Sequence, residues 1–159
     1  MILGALRILR SILKLGILII VNAQYKPARD AGWIARRQQL RAMAAPEYVN
    51  ANYERFTQLE RAVAKELLID SGMSGDARQE ATALIWNGEA GIAALEALLA
   101  ILKNDKYLDP ELARLAIALW GTDQNWRPLS RNVCARIEAR IAEQTLPDAT
   151  PHLAATVRH

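Results

Sequence analysis

Histidine is almost missing from this chain: His152 and His159 are the only two, both close to its end. No His-x-x-x-His or Glu-x-x-His pair can be written, which removes the ligand sets of helical metallohydrolases and of di-iron bundles. Cysteine is rarer still, with Cys134 alone. A disulfide within the chain and a multi-cysteine zinc site are both excluded. A Cys–His nucleophilic pair would have to recruit His152 or His159, so Cys134 reads as a small buried side chain. Gly72, Gly75, Gly88 and Gly91 fall at helix ends or in an alanine-rich helix and form no phosphate loop. Alternating β-branched runs are also absent. Residues 17–21, ILIIV, have strand composition but no second strand to pair with. With no converging acid, base or nucleophile, the sequence predicts no enzyme, no catalytic residue, no metal and no cofactor. Glu54, Glu60 and Glu66, six apart, read as a solvated face or as partners of Arg55, Arg61 and Lys65.

What the chain does have is the alphabet of helices, rich in Ala, Leu, Arg, Glu and Gln. Its 159 residues are 52% apolar and 23% charged, the mix of a folded domain. The expectation is an all-α bundle of six to seven helices. Residues 1–23 form an amphipathic and hydrophobic N-terminal helix, 24–45 a basic helical arm, 46–144 the helical body and 145–159 a short extended tail. Lys26-Pro27 ends the first segment, and a second helix is placed over residues 28–44. Pro46 starts a long third helix, striped by Val49, Phe56, Leu59, Val63 and Leu67 and stopped at Asp70-Ser71-Gly72. A fourth covers residues 76–86, with Asp76 and Gln79 as a capping box and Asn87-Gly88 as its stop. The fifth, residues 89–102, is interrupted only by Glu89 and Glu96 and should be the most buried. Asp109-Pro110-Glu111 opens a sixth that ends at Trp120-Gly121. The seventh starts near Pro128 and carries Leu129, Val133, Ile137 and Ile141 at steps of four.

Charge is distributed unevenly. Residues 1–43 hold Arg7, Arg10, Lys14, Lys26, Arg29, Arg36, Arg37 and Arg41 against Asp30 alone, a net of +7, while residues 44–159 carry −4. Such a layout points the basic end at something anionic: lipid headgroups, nucleic acid, or an acidic protein face, the chain's own included. Leu6, Leu9, Leu13, Ile17 and Ile20 are spaced 3, 4, 4 and 3 and share one helical face. Arg7, Arg10 and Lys14 share another. The uninterrupted apolar part, residues 15–21, is about 10 Å long as a helix against a bilayer core of roughly 30 Å. A span over residues 2–22 would place Lys14 near its middle, at a cost of about 2.5–3.5 kcal/mol. A helix lying on an anionic membrane, or filling a groove on a partner, fits better. A cleavable signal peptide ending at Val21-Asn22-Ala23 would make this an exported helical domain. Its n-region is long and apolar, however, and basic residues crowd the segment that follows.

The leading functional expectation is therefore a non-catalytic structural or accessory subunit of a larger assembly, membrane-associated or virion-like. Leu6, Leu9, Leu13, Ile17 and Ile20 make the apolar contact. Arg7, Arg10, Lys14, Arg36, Arg37 and Arg41 meet the anionic surface. Other protein subunits are the expected partners, with an anionic membrane as a second. Nucleic acid is the rival: Trp33 with Arg36, Arg37 and Arg41, and Trp126 with Arg127, Arg131, Arg136 and Arg140, combine aromatic rings with phosphate-binding groups. The seven residues 121–127 are too long for a helix-turn-helix turn, and Glu138 and Glu143 dilute the second patch.

Overall fold

A computed structural model describes residues 30–121 and 127–145. Among them the fold is an all-α helical bundle of seven helices. These are α1 (Ala31–Met43), α2 (Pro46–Val49), α3 (Tyr53–Ser71), α4 (Gly75–Trp86), α5 (Ala90–Lys103), α6 (Pro110–Trp120) and α7 (Arg131–Thr145). The leading segment and the tail lie outside the described residues.

Helices α3 and α5 form the centre. α5 packs against α3, α4, α6 and α7, and α3 against α1, α2, α4, α5 and α6. The close approach of α5 follows from its sequence: Ala90, Gly91, Ala93, Ala94 and Ala97 make a buried small-residue face, and Leu98 and Ile101 extend it. Opposite it, α3 presents Leu59, Val63, Ala64, Leu67 and Leu68. These side chains are almost wholly removed from water, worth about 1.5–3 kcal/mol for each large one. At Gly91 even one methyl group would collide, since a Cβ would stand 2.8 Å from Pro128 Cγ and 2.9 Å from Trp120 Cδ1.

The stop at Gly72 is as expected. Its φ of 63° is left-handed and favours glycine, and Lys106 Nζ reaches over it to the Ser71 carbonyl oxygen, 2.7 Å. Asp109 caps α6 as read, accepting from the amides of Glu111 (2.9 Å) and Leu112 (3.2 Å), with Pro110 in the first turn.

Four local expectations need correction. The second helix, expected over residues 28–44, is α1 and starts at Ala31, because Asp30 is extended and caps it. The long helix from Pro46 is two helices, because Asn52 is extended (φ −169°) and its side chain accepts from Arg55 N, starting a fresh N-terminus. Asp76 does not cap α4; the helix starts at Gly75 after Ser74, no side chain caps it, and Asp76 lies in its first turn. Pro128 and Leu129 precede α7 rather than belong to it. Leu129 is buried and donates its amide to the Trp120 carbonyl, 3.4 Å, and α7 starts at Arg131.

Candidate functional site

The arm does not stand apart from the body over α1. Asp30 caps α1 by accepting from Trp33 N at 2.8 Å, and one side of the helix then turns Arg37 and Leu40 inward. Leu40 joins the core. Arg37 is 2% exposed, a position that an arginine occupies only when its charge and donors are met. All three nitrogens are met. Nη1 donates to Glu66 Oε2 at 2.7 Å, Nη2 to Asp70 Oδ2 at 3.0 Å and Nε to Asp109 Oδ2 at 3.1 Å. The Trp33 ring closes the site, with the guanidinium carbon 5.1 Å from its centroid.

Each carboxylate arrives for a separate local reason. Glu66 and Asp70 are four apart on α3, so both project from one face toward α1. Asp109 is at the start of α6 because its other oxygen caps that helix. One guanidinium thus ties α1, α3 and the first turn of α6 together. Around it, Arg36 Nε pairs with Glu66 Oε1 at 2.8 Å, and Arg41 Nε with Glu111 Oε1 at 2.6 Å.

The charges at the centre do not cancel. Arg36 and Arg37 face Glu66, Asp70 and Asp109. The imbalance falls on Asp70. Burial first, then the neighbouring Glu66 and Asp109 charges, outweigh the help from Arg37 and push its carboxyl up to about 6. Arg37 is held above its ordinary range: burial opposes its charge, but the Asp109 hydrogen bond and the charges of Asp70, Asp109 and Glu66 together prevail. Among the described residues no group of His, Cys, Asp and Glu is arranged to hold a metal ion. These carboxylates are organised about a guanidinium, and the arrangement is a clamp.

The structure places the expected site residues as follows. Arg36, Arg37 and Arg41 meet anionic groups of their own chain, the alternative that the charge layout left open. Arg37 is too deeply enclosed to touch an outside surface. Leu6, Leu9, Leu13, Ile17, Ile20, Arg7, Arg10 and Lys14 lie outside the described residues. Glu66, read as solvated or as a partner of the neighbouring cations of its own helix, is buried and pairs with Arg36 and Arg37 of α1; Glu60, read likewise, accepts from Trp120 Nε1 at 3.0 Å and is half-enclosed. Burial, offset in part by the Trp120 hydrogen bond and by Arg127, raises the Glu60 carboxyl. In the second basic patch, Arg140 pairs with Asp105 at 2.5 Å and Arg127 donates to the Leu119 carbonyl at 2.6 Å. Cys134 is half-buried, 3.8 Å from the Leu129 carbonyl, and burial raises its thiol. Sequence reasoning missed Glu66, Asp70 and Asp109 as a set. The Glu66–Asp70 spacing of four was visible, but nothing local marks an arginine 29 residues earlier as their partner.

Comparison with protein-family models, with curated proteins and with solved structures found no match. Among the described residues no helix is long and apolar enough to cross a membrane.

Proposed function

We propose that the chain is a non-catalytic structural or accessory subunit of a larger assembly, membrane-associated or virion-like, attached through its basic, apolar leading segment. The observation that carries this reading is the Arg37 clamp. A buried arginine–carboxylate network brings less net stability than apolar packing of the same volume, and its best-attested use is to select one arrangement. Here the arrangement selected is the seat of α1 on α3 and α6. The leading segment joins that helix at Asp30, so α1 is a stiff joint between an attachment element and a folded body. Leu6, Leu9, Leu13, Ile17 and Ile20 supply the apolar contact. With Arg37 spent on the joint, Arg7, Arg10 and Lys14 supply most of the positive charge toward an anionic membrane or an acidic subunit.

Flotation with vesicles of phosphatidylglycerol and phosphatidylcholine tests the membrane form of the proposal. The full chain should rise with the vesicles, and a full-length Leu9→Asp/Leu13→Asp variant should stay below. Equal recovery of both in the soluble fraction overturns membrane attachment. Sedimentation of the full chain tests the assembly form: self-association or co-sedimentation with partner subunits, lost in the same variant, is expected. A monomer whose leading segment is protected from protease without any partner overturns attachment altogether.

A further inference from the structure

Next to the clamp, sharing Arg36 and Glu66 with its margin, lies a groove of about 420 Å³ between α1, α3 and the end of α4. That is the size of a small-molecule site. Arg36, Met43, Arg61, Lys65 and Trp86 line it. Trp86 is 61% exposed, the largest apolar ring left in water among the described residues. Two cations lie against it, Lys65 Nζ at 4.6 Å and Arg61 Cζ at 6.0 Å from the ring centroid. Neither has a carboxylate within ion-pair distance among the described residues, although all three arginines of α1 do. Arg61 Nε is moreover buried without a hydrogen-bond partner. Arg61 and Lys65 are four apart on one helix, where like charges repel. The one acidic group in the lining, Glu66, already bonds to Arg36 and Arg37. The groove therefore holds two unmatched positive charges, an unmet guanidinium donor and an open aromatic face.

We propose that this groove is a binding site for a phosphate monoester carried on a planar or apolar body. A phosphate monoester bears about −1.5 to −2 charge at neutral pH, which matches two unpaired cations; a single carboxylate would leave one unmatched. Arg61 offers its guanidinium edge to the phosphate oxygens and Lys65 a point charge. The remainder of the ligand lies on Trp86 and Met43. The site stands independently of the attachment proposal, because none of its residues belongs to the leading segment.

Titration calorimetry of the full chain provides the test, with adenosine monophosphate, adenosine and inorganic phosphate as probes. Adenosine monophosphate should bind saturably and adenosine about tenfold more weakly or worse. Arg61→Gln and Lys65→Gln should each lose about tenfold for the monophosphate, the usual loss for one charge-assisted contact. Trp86→Ala should weaken the monophosphate while leaving inorganic phosphate unchanged. Lys65 is exposed, so Lys65→Gln keeps its fold and carries the test even where Arg61→Gln does not. Vesicles of phosphatidic acid in phosphatidylcholine, added as competitor, distinguish the source. Displacement of the monophosphate assigns the group to a lipid headgroup and its absence to a soluble ligand; both outcomes uphold the phosphate site. No binding of any probe, binding indifferent to Lys65→Gln and Arg61→Gln, or equal affinity for a glutamate-rich peptide overturns it.

Discussion

Two neighbouring stretches of α3 treat the same chemistry in opposite ways. Toward α1 and α6 a single arginine, Arg37, is sealed from water among three carboxylates and one tryptophan. Where α3 meets the end of α4, Arg61 and Lys65 share a tryptophan, with no carboxylate within ion-pair distance among the described residues. Trp33 and Trp86 each contact a guanidinium, yet only Trp33 belongs to a closed site. The difference lies in what surrounds the cation. Where acid, ring and neighbouring helix all converge, the charge is consumed in joining elements. Where the acid is missing, it is left available. Composition cannot distinguish the two, since each offers arginine beside tryptophan.

The comparison is broken most severely by Arg37→Ala. It leaves Glu66, Asp70 and Asp109 buried around a void with only Arg36, on Glu66, as counter-charge, and the expected loss is about 3–5 kcal/mol. Urea denaturation reads that loss, and proteolysis within α1 should accelerate along with it; a change below about 1 kcal/mol would mean that the clamp does not hold α1.

Asp70→Asn comes next, and its effect depends on pH. The Asp70 carboxyl is raised to about 6 from an ordinary 3.8. The folded state therefore holds its proton more tightly than the unfolded state does. The stability linked to that proton is fully present below pH 3.8 and is lost as pH rises through about 6. Wild type should lose up to ~3 kcal/mol relative to Asp70→Asn between those limits. Urea midpoints of the two proteins near pH 4 and pH 7 give the difference directly, and a gap of the opposite sign would show Asp70 to be stabilised as the anion.

Trp120→Phe is a smaller perturbation. Trp120 Nε1 is the hydrogen-bond donor to the half-enclosed Glu60, and its removal leaves that carboxylate short of a partner, at about 1–3 kcal/mol. Thermal melting at neutral pH should show the loss, and part of it should return in acid, where Glu60 protonates. The smallest effect belongs to the open groove. Lys65→Gln removes an exposed cation from beside Trp86 and should change stability by no more than about 0.5 kcal/mol. A larger loss would mean that the Trp86 cluster, like the Arg37 cluster, is structural.

Much of the fold was legible residue by residue. The Asp109-Pro110 start, the Gly72 stop and the small-residue face of α5 are local signals, and local hydrogen bonding and sterics honour them. The failures were also local. A proline at Pro46 announced a helix, but Asn52 offered a second cap six residues later and divided it. Asp76 was a plausible cap displaced by a glycine turn one residue earlier. The candidate site was legible only in part. The basic excess around Arg36, Arg37 and Arg41 predicted an anionic partner without saying whose.

The sequence by itself determined helical class, the ends marked by Gly72 and Asp109-Pro110, and the charge asymmetry, because the first two depend on neighbours within about one turn of the chain and the third on composition alone. Which arginine is swallowed and which is left open was decided only by tertiary structure. Glu66, Asp70 and Asp109 come from two separate elements and are brought to Arg37 across 29, 33 and 72 residues. No pattern along the chain encodes a meeting of that kind, since an ion in a dry interior is set by the sum of all groups around it, wherever in the chain they originate.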